Sequence, residues 1–459
     1  MKEKVSLFEK IAYGVGDSGC NFVWTTIGSF LILYYTDNVG ISAAIVGTIM
    51  LLARVVDGIA DLGIGVLIDR THTKWGKARP WLLWTALPMG IGLYFLFSVP
   101  TSLTPQGKVV YASITYVVMS AIIYTASNLA YNMLLSLEAT EQDDRVSMSS
   151  IRFFCTLGVV LLISNITMGI VRRIGWSGMS IIFGTIATIL LLITFLFTKE
   201  RYKPVDSENS NNRPVGQSLR ILFKNKYFIL VTLLFLINYT ALGATNGIGI
   251  YYARDILGNV GVFGTLAMAF FLPKMLGNIV FPKVSQLFGK WRCLMAGYVL
   301  EIIGVLLIMI MPTNITAVLI GLVIKGIGGV PHTAGLFALV GDVVDYGEWK
   351  TGERMDGLIN SATSFGMKVG TGVGAALVGW ILAWGGYDAS LAQQGAGAIF
   401  AMKAIYIHIP LVLFIIGTII LYFTNIDKIY PVISKELAER RIKNNKKSIE
   451  ETLETYLAE

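Results

Sequence analysis

Long uncharged apolar blocks alternate with short polar ones along almost the whole chain; residues 27–33, 181–197 and 411–423 carry no charge at all. A membrane-crossing helix needs roughly 20 mainly apolar residues. The pattern predicts twelve such spans, at 10–35, 42–68, 80–100, 109–137, 147–171, 177–198, 227–253, 260–281, 293–312, 314–345, 357–384 and 397–424. One hydrophilic stretch, 199–226, interrupts them and contains Ser207, Asn209, Ser210, Asn211 and Asn212. It reads as a linker dividing the spans six and six. The expected organisation is an all-α integral membrane protein. It has an N-terminal half (1–198), a cytoplasmic linker (199–226), a C-terminal half (227–426) and a cytoplasmic tail (427–459) that reads as a short helix.

Composition agrees with the pattern. Of 459 residues, 54% are hydrophobic and only 14% charged, too few charges to cover a soluble surface of this size. The first apolar stretch follows Lys2, Lys4 and Lys10, is too long for a signal peptide, and reads as an uncleaved first helix. Cys20, Cys155 and Cys293 are odd in number and fall in or beside apolar spans, which argues against a disulfide framework or a metal site. The net charge of +8 is distributed in a way that excludes a nucleic-acid partner. Counting alternate polar segments, 27 of the 37 Lys and Arg residues fall on one side, against four (Lys108, Arg172, Arg173 and Arg254) on the other. This asymmetry predicts a multi-pass protein of the plasma membrane with both termini cytoplasmic.

The two halves echo each other. Gly76-Lys77-Ala78-Arg79 follows the second span, and Gly289-Lys290-Trp291-Arg292 follows the eighth. That offset fits a parallel duplication of six-helix units, the major facilitator arrangement, with a solute site between the halves near the midplane.

A charge at the bilayer centre costs roughly 2.5–3.5 kcal/mol on insertion scales, so polar residues within spans mark candidate sites. Asp57 and Asp61 are one helical turn apart in the second span and repel unless a cation or proton lies between them. Arg54, one turn earlier, can neutralise only one of them, so the pair reads as a coupling site rather than structural glue. In the fourth span Tyr124, Thr125, Asn128 and Asn132 share a stripe. The Thr125 hydroxyl suits a hard cation, and the two amides suit sugar hydroxyls. Asn21 and Trp24 place an amide beside an aromatic face in the first span. Arg152 opens the fifth, and Lys368 lies deep in the eleventh, with Ser364 one turn before it. Lys368 requires a partner: one of the aspartates, a solute hydroxyl or an anionic solute. Lys274, Glu301, Lys325 and Lys403 read as lying near span ends or on packing faces.

Two loop clusters on the expected cytoplasmic side are opposite in charge. One, 69–80, is basic and includes Arg79; the other runs from Asp342 through Asp345 and Glu348 to Arg354. Ion pairs between them are expected to gate the cytoplasmic end and to hold an outward-open state.

Several stretches together resemble one family: Tyr13-Gly14-Val15-Gly16-Asp17, Tyr34-Tyr35-Thr36-Asp37, Arg54 through Asp61, Trp75-Gly76-Lys77 with Arg79-Pro80-Trp81, Arg152-Phe153-Phe154, and Asp345-Tyr346-Gly347-Glu348. The chain is similar over most of its length to the glycoside–pentoside–hexuronide:cation symporters, which include the melibiose permease and the glucuronide carriers. The resemblance implies a major facilitator fold and a sugar co-transported with Na⁺, Li⁺ or H⁺. It places the cation at Asp57, Asp61 and Thr125, and the sugar at Asn21, Asn128, Asn132, Arg152 and Lys368, with Ser364 nearby. The positions of Asn21 and Asn128 are aspartates in the melibiose permease, and that of Asn132 is a tryptophan. Losing two carboxylates while keeping Lys368 and Arg152 leaves a net-positive pocket, which favours a hexuronide over a neutral galactoside. Ala60 replaces an asparagine that contributes to sodium coupling, which favours H⁺.

No catalytic residue, cofactor or resident metal is expected. HExxH and GxSxG motifs are missing, and His72, His332 and His408 are far apart. The expected function is ion-coupled import of a glycoside or hexuronide, with H⁺ or Na⁺ as coupling ion, and with the lipid bilayer but no obligate protein as surroundings. Rival readings are a neutral-pentoside symporter and a transporter-derived membrane sensor, although the tail is short for an output domain.

Overall fold

The computed structural model describes residues 5–139, 142–201, 225–351 and 356–440, and every named element among them is helical. Helix α1, Leu7–Leu33, opens with a capping box. The Ser6 hydroxyl accepts from the Glu9 N–H, and the Glu9 carboxylate accepts from the Ser6 N–H, which satisfies two of the unpaired donors at a helix start. The rod widens into a π-helical turn, Tyr34–Val39, and stops at Gly40. Helices α2 (Ala43–Asp69) and α3 (Arg79–Leu96) follow. Helix α4, Pro105–Glu138, contains a π-helical turn, Val118–Tyr124, immediately before Thr125. Such turns recur at functional positions in helices.

Helix α5, Gln142–Phe197, is one helical run broken at Gly175 (φ 74°, ψ 177°). The spans expected at 147–171 and 177–198 are its two arms. Beyond the linker lie α6 (Lys226–Ile256), α7 (Phe263–Phe288), α8 (Lys290–Ile310), α9 (Ile315–Thr351), α10 (Asp356–Trp384) and α11 (Ala396–Phe423). A short helix over 430–440 begins the tail. Most of the linker and the end of the tail lie outside the described residues.

Nine stretches among the described residues are long and apolar enough to cross a membrane. Helices α1 and α3 fall outside those nine, and α5 is counted once despite its break. Polar residues such as Asp17 and Asn21 dilute α1, and proline, glycine and tryptophan dilute α3. Exposed side chains such as Ile279 and Ile310, each 70% accessible, fit a surface facing hydrocarbon.

Small residues bring helix backbones together. A Cβ on Gly90 of α3 would lie 2.8 Å from the Gly184 carbonyl of α5, and one on Gly297 of α8 would lie 2.6 Å from the Gly328 carbonyl of α9. Close approach of this kind is how helices associate where lipid removes the hydrophobic drive. The echoed loop motifs also take matching roles. The Glu200 carboxylate accepts the backbone N–H groups of Lys77, Ala78 and Arg79, each at 2.8 Å, at the start of α3. Asp427 accepts the Trp291 N–H at 3.0 Å near the start of α8. A carboxylate at a helix N-terminus complements both the free donors and the dipole there.

Candidate functional site

Helices α2, α4 and α10 converge on a charged cluster. Asp57 is buried, with 1% of its side chain accessible, while Asp61 is 20% accessible. The Lys368 ammonium donates to both, at 2.9 Å to Asp57 Oδ1 and 2.6 Å to Asp61 Oδ1. Arg54 donates to Asp57 Oδ2 at 3.1 Å and to the Tyr116 hydroxyl at 3.2 Å. The Thr125 hydroxyl donates to Asp57 Oδ1. Of the partners open to Lys368 from sequence, the structure chooses both aspartates at once. The one-turn spacing of Asp57 and Asp61 makes this possible, since it points both carboxylates at α10.

A second cluster joins α1, α4 and α5. Arg152 pairs with Asp17 at 3.1 Å and donates to Asn132 Oδ1 at 2.8 Å. Asn132 donates to Asn128 Oδ1 at 2.9 Å. Asn21 donates to the Asp17 carbonyl at 2.9 Å and to its carboxylate at 3.2 Å, and Thr156 also donates to that carboxylate. Asp17 is the hub of this network, although from sequence it had no role beyond the family motif. Its position four residues before Asn21, on the same helical face, was the available signal.

These pairings change one expectation. Arg54, Arg152 and Lys368 are matched by Asp17, Asp57 and Asp61, so these two clusters hold no excess positive charge. The acidic-sugar preference read from Lys368 and Arg152 has no electrostatic basis in this arrangement.

Trp24 also differs in role. Its ring stacks on Tyr124 with centroids 4.5 Å apart, and the Arg54 guanidinium lies 3.8 Å from its centroid. Trp24 still borders two of the cavities described next.

Three adjoining cavities lie beside these clusters. One of about 260 Å³ is bordered by Asp57, Asp61, Thr125, Asn128, Ser364 and Lys368. A second, of about 220 Å³, and a third, of about 360 Å³, share Asn21, Leu242 and Thr245 as common walls. Together they reach the size of a small-molecule site, about 300–1,000 Å³. All expected cation and sugar residues border these cavities except Arg152, which reaches them through Asn132.

Arg79 donates from its guanidinium to the Phe195 carbonyl at 2.6 Å and 3.2 Å, so it braces α5. Asp345 accepts from the Tyr430 hydroxyl at 2.9 Å. Glu348 is described and has an interaction partner; Arg354 lies outside the described residues. A connection at the other end of the helices was missed. Arg254 of α6 donates to Asp37 at 2.6 Å, to Asp255 at 2.8 Å and 2.9 Å, and to the Tyr387 hydroxyl at 2.8 Å. Tyr387 donates to Asp37 at 2.8 Å, and Thr36 bonds to the Tyr251 hydroxyl at 2.8 Å. Burial, then the nearby Asp37 charge, push the Tyr387 phenol above its ordinary range.

Long apolar helices around polar, charge-paired cavities define a membrane transporter. The chain belongs to the MFS/sugar transport protein family, whose model matches residues 12–428. It is 33% identical over 457 residues to the isoprimeverose transporter of Lactiplantibacillus pentosus, covering 97% of this chain and 94% of that protein. It is 32% identical to the inner membrane symporter YicJ of Escherichia coli (strain K12), over 91% of each. Among solved structures, a variant of the nucleoside transporter NupG matches with a TM-score of 0.66 at 14% identity, covering 91% of this chain and 100% of that one; this likeness speaks to fold alone. The protein is a multi-pass membrane sugar transporter of a symporter family, and not an enzyme.

Proposed function

We propose that the protein is a secondary active symporter importing a glycoside or hexuronide together with H⁺ or Na⁺ by alternating access. In this reading twelve helices cross the plasma membrane as two six-helix halves, 1–198 and 227–426, joined by the linker 199–226. Both termini and the tail 427–459 are cytoplasmic. The observation that carries the reading is the bridge Asp57–Lys368–Asp61 between α2 and α10.

The bridge is a competition site. A coupling cation entering between Asp57, Asp61 and the Thr125 hydroxyl takes the place of the Lys368 ammonium. Lys368 is then free to turn toward the solute, alongside Ser364 and the Asn21–Asn128–Asn132–Arg152 surface, with Trp24 and Tyr124 forming a wall. Two states compete: Lys368 on the aspartates with no cation, or cation on the aspartates with Lys368 released to donate to the solute. A Lys368 released with no solute to accept from it is left without a partner at low dielectric, which is costly. Closure over a half-loaded site is thereby disfavoured, and the fluxes are coupled. Ala60 supplies no ligand oxygen, which favours H⁺ over Na⁺. One coupled charge contributes about 2.3 kcal/mol per 100 mV, enough for roughly fiftyfold accumulation at about 1.4 kcal/mol per tenfold.

With this topology the Asp37–Arg254–Tyr387 cluster closes the outer side, so the conformation is not outward-open. Ion pairing among Arg79, Asp345, Glu348 and Arg354 at the cytoplasmic end is the gate that holds the outward-open state. The test is uptake into proteoliposomes across a glycoside panel, with a pH or Na⁺ gradient imposed separately. Accumulation driven by one gradient supports symport. Glycoside binding without gradient-driven uptake would favour a sensor.

A further inference from the structure

Lys274 of α7, Glu301 of α8 and Lys325 of α9 do not lie on separate packing faces. All three line the cavity of about 360 Å³, together with His332. Lys325 and Glu301 are each only 4% accessible. The Lys325 ammonium donates to the Thr245 hydroxyl at 3.3 Å and sits 5.4 Å from the centre of the Phe270 ring. Lys274 lies 5.5 Å from the centre of the same ring. Among the described residues no carboxylate is within ion-pair distance of either ammonium. The ionisable group against Glu301 is His332, whose Nδ1 is 3.0 Å from Oε2. That approach is not aligned as a hydrogen bond, and Oε2 has no donor.

With both lysines protonated, two cations and one anion in a buried cavity leave an excess of one positive charge, which an anion entering the cavity offsets. Gly329 keeps the space beside them open, since a Cβ there would lie 3.3 Å from Glu301 Oε1 and 3.5 Å from Lys274 Nζ. The opposite wall includes Asn21 and Thr156 of the other half, so a solute held at Asn21 reaches the lysines with its far end.

We propose that Lys274 and Lys325, balanced by Glu301 beside His332, form a subsite for a single carboxylate carried by the transported solute. The proposal rests on the symporter reading and narrows its substrate to acidic glycosides. Glu301 limits the excess charge to that of a monoanion, so a phosphate dianion is a poor fit. Acid recognition thus moves from Lys368 and Arg152, which are charge-paired, to the facing half of the molecule.

The test is calorimetry on the full chain in nanodiscs, using methyl glucuronide and methyl glucoside, which differ only in the carboxylate. Wild type is expected to prefer the glucuronide at least tenfold. Lys274→Gln and Lys325→Gln are expected to bring that ratio toward one. Glu301→Gln is expected to raise it, a gain that structural damage does not mimic and that keeps the test open if a lysine variant fails to fold. Equal binding of the two ligands by wild type, or a ratio indifferent to all three substitutions, overturns the subsite. So does thermal stabilisation by chloride that Lys325→Gln removes, without any glucuronide preference, because it makes the occupant a free inorganic anion. Gradient-driven glucoside uptake in any of those cases leaves the symporter reading standing. Loss of all gradient-driven uptake in wild type sinks that reading instead.

Discussion

Lys368 holds two carboxylates that would otherwise repel each other, and Asp57 is also held by Arg54 and Thr125. The two aspartates are therefore not equivalent. Asp57 is the buried centre of the cluster and Asp61 its more accessible arm, which in the proposed mechanism an arriving cation meets first. Asp57→Asn leaves Arg54 and Lys368 short of a counter-charge, a loss of about 3–5 kcal/mol when one partner of a buried pair is removed. Gradient-driven uptake is expected to fall at least a hundredfold while some sugar binding remains; concentrative uptake at the wild-type level rules out the assignment. Lys368→Gln has a different signature. Without the internal competitor, the coupling cation is expected to bind roughly tenfold or more tightly, about 1.4 kcal/mol, while turnover slows because the unloaded return step leaves the aspartates unneutralised. Titrating uptake against Na⁺ or H⁺ gives both numbers, and an unchanged cation dependence would remove the competition from the mechanism.

At the scale of elements, the expected spans fall on helices among the described residues, but periodicity could not see how those helices are interrupted. Residues 147–171 and 177–198 read as separate spans because Arg172 and Arg173 lie between them, whereas the helix runs through those arginines and breaks only at Gly175. The reason is conformational rather than polar. A φ of 74° with ψ of 177° is a region that essentially only glycine occupies, at a cost of about 1–3 kcal/mol for other residues. No atom lies within 4 Å of where a Cβ would sit at Gly175, so backbone strain is the only penalty. Gly175→Ala is expected to lower stability by about 1–3 kcal/mol, read as a fall in the thermal unfolding midpoint in detergent, with the substrate profile unchanged. A midpoint equal to that of wild type would mean that the turn tolerates a side chain.

At the scale of the whole molecule, contacts between distant helices were the least legible feature of the sequence. Asp57, Asp61 and the α4 stripe stood out in the sequence because the members of each group lie one or two turns apart on the same helix. Lys368 could be assigned a need but not a partner, since the aspartates it meets lie in the other half of the chain. Lys274, Glu301 and Lys325 were misread for the same reason: depth along one helix does not say which other helices it faces. The connection at Asp37, Arg254 and Tyr387 was invisible too, although Asp37 stood in a family motif and Arg254 was one of four basic residues in the alternate segments expected to lie outside the cytoplasm. Arg254 ties α6 to the end of α1 directly and through Tyr387. In the proposed topology this is what holds the outer end closed. Hydrogen bonds to charged groups contribute about 1.5–3 kcal/mol, so Arg254→Gln is expected to shift the conformational equilibrium outward by roughly tenfold or more. A reporter cysteine fits at Gly28, which borders the central cavity and has no atom within 4 Å of where its Cβ would sit. With Cys155 replaced by alanine, alkylation of Gly28→Cys by an impermeant maleimide added outside should rise in step with that shift when Arg254→Gln is introduced. If external labelling stays at its starting rate, the outer cluster is a contact of the closed state and not what keeps it closed.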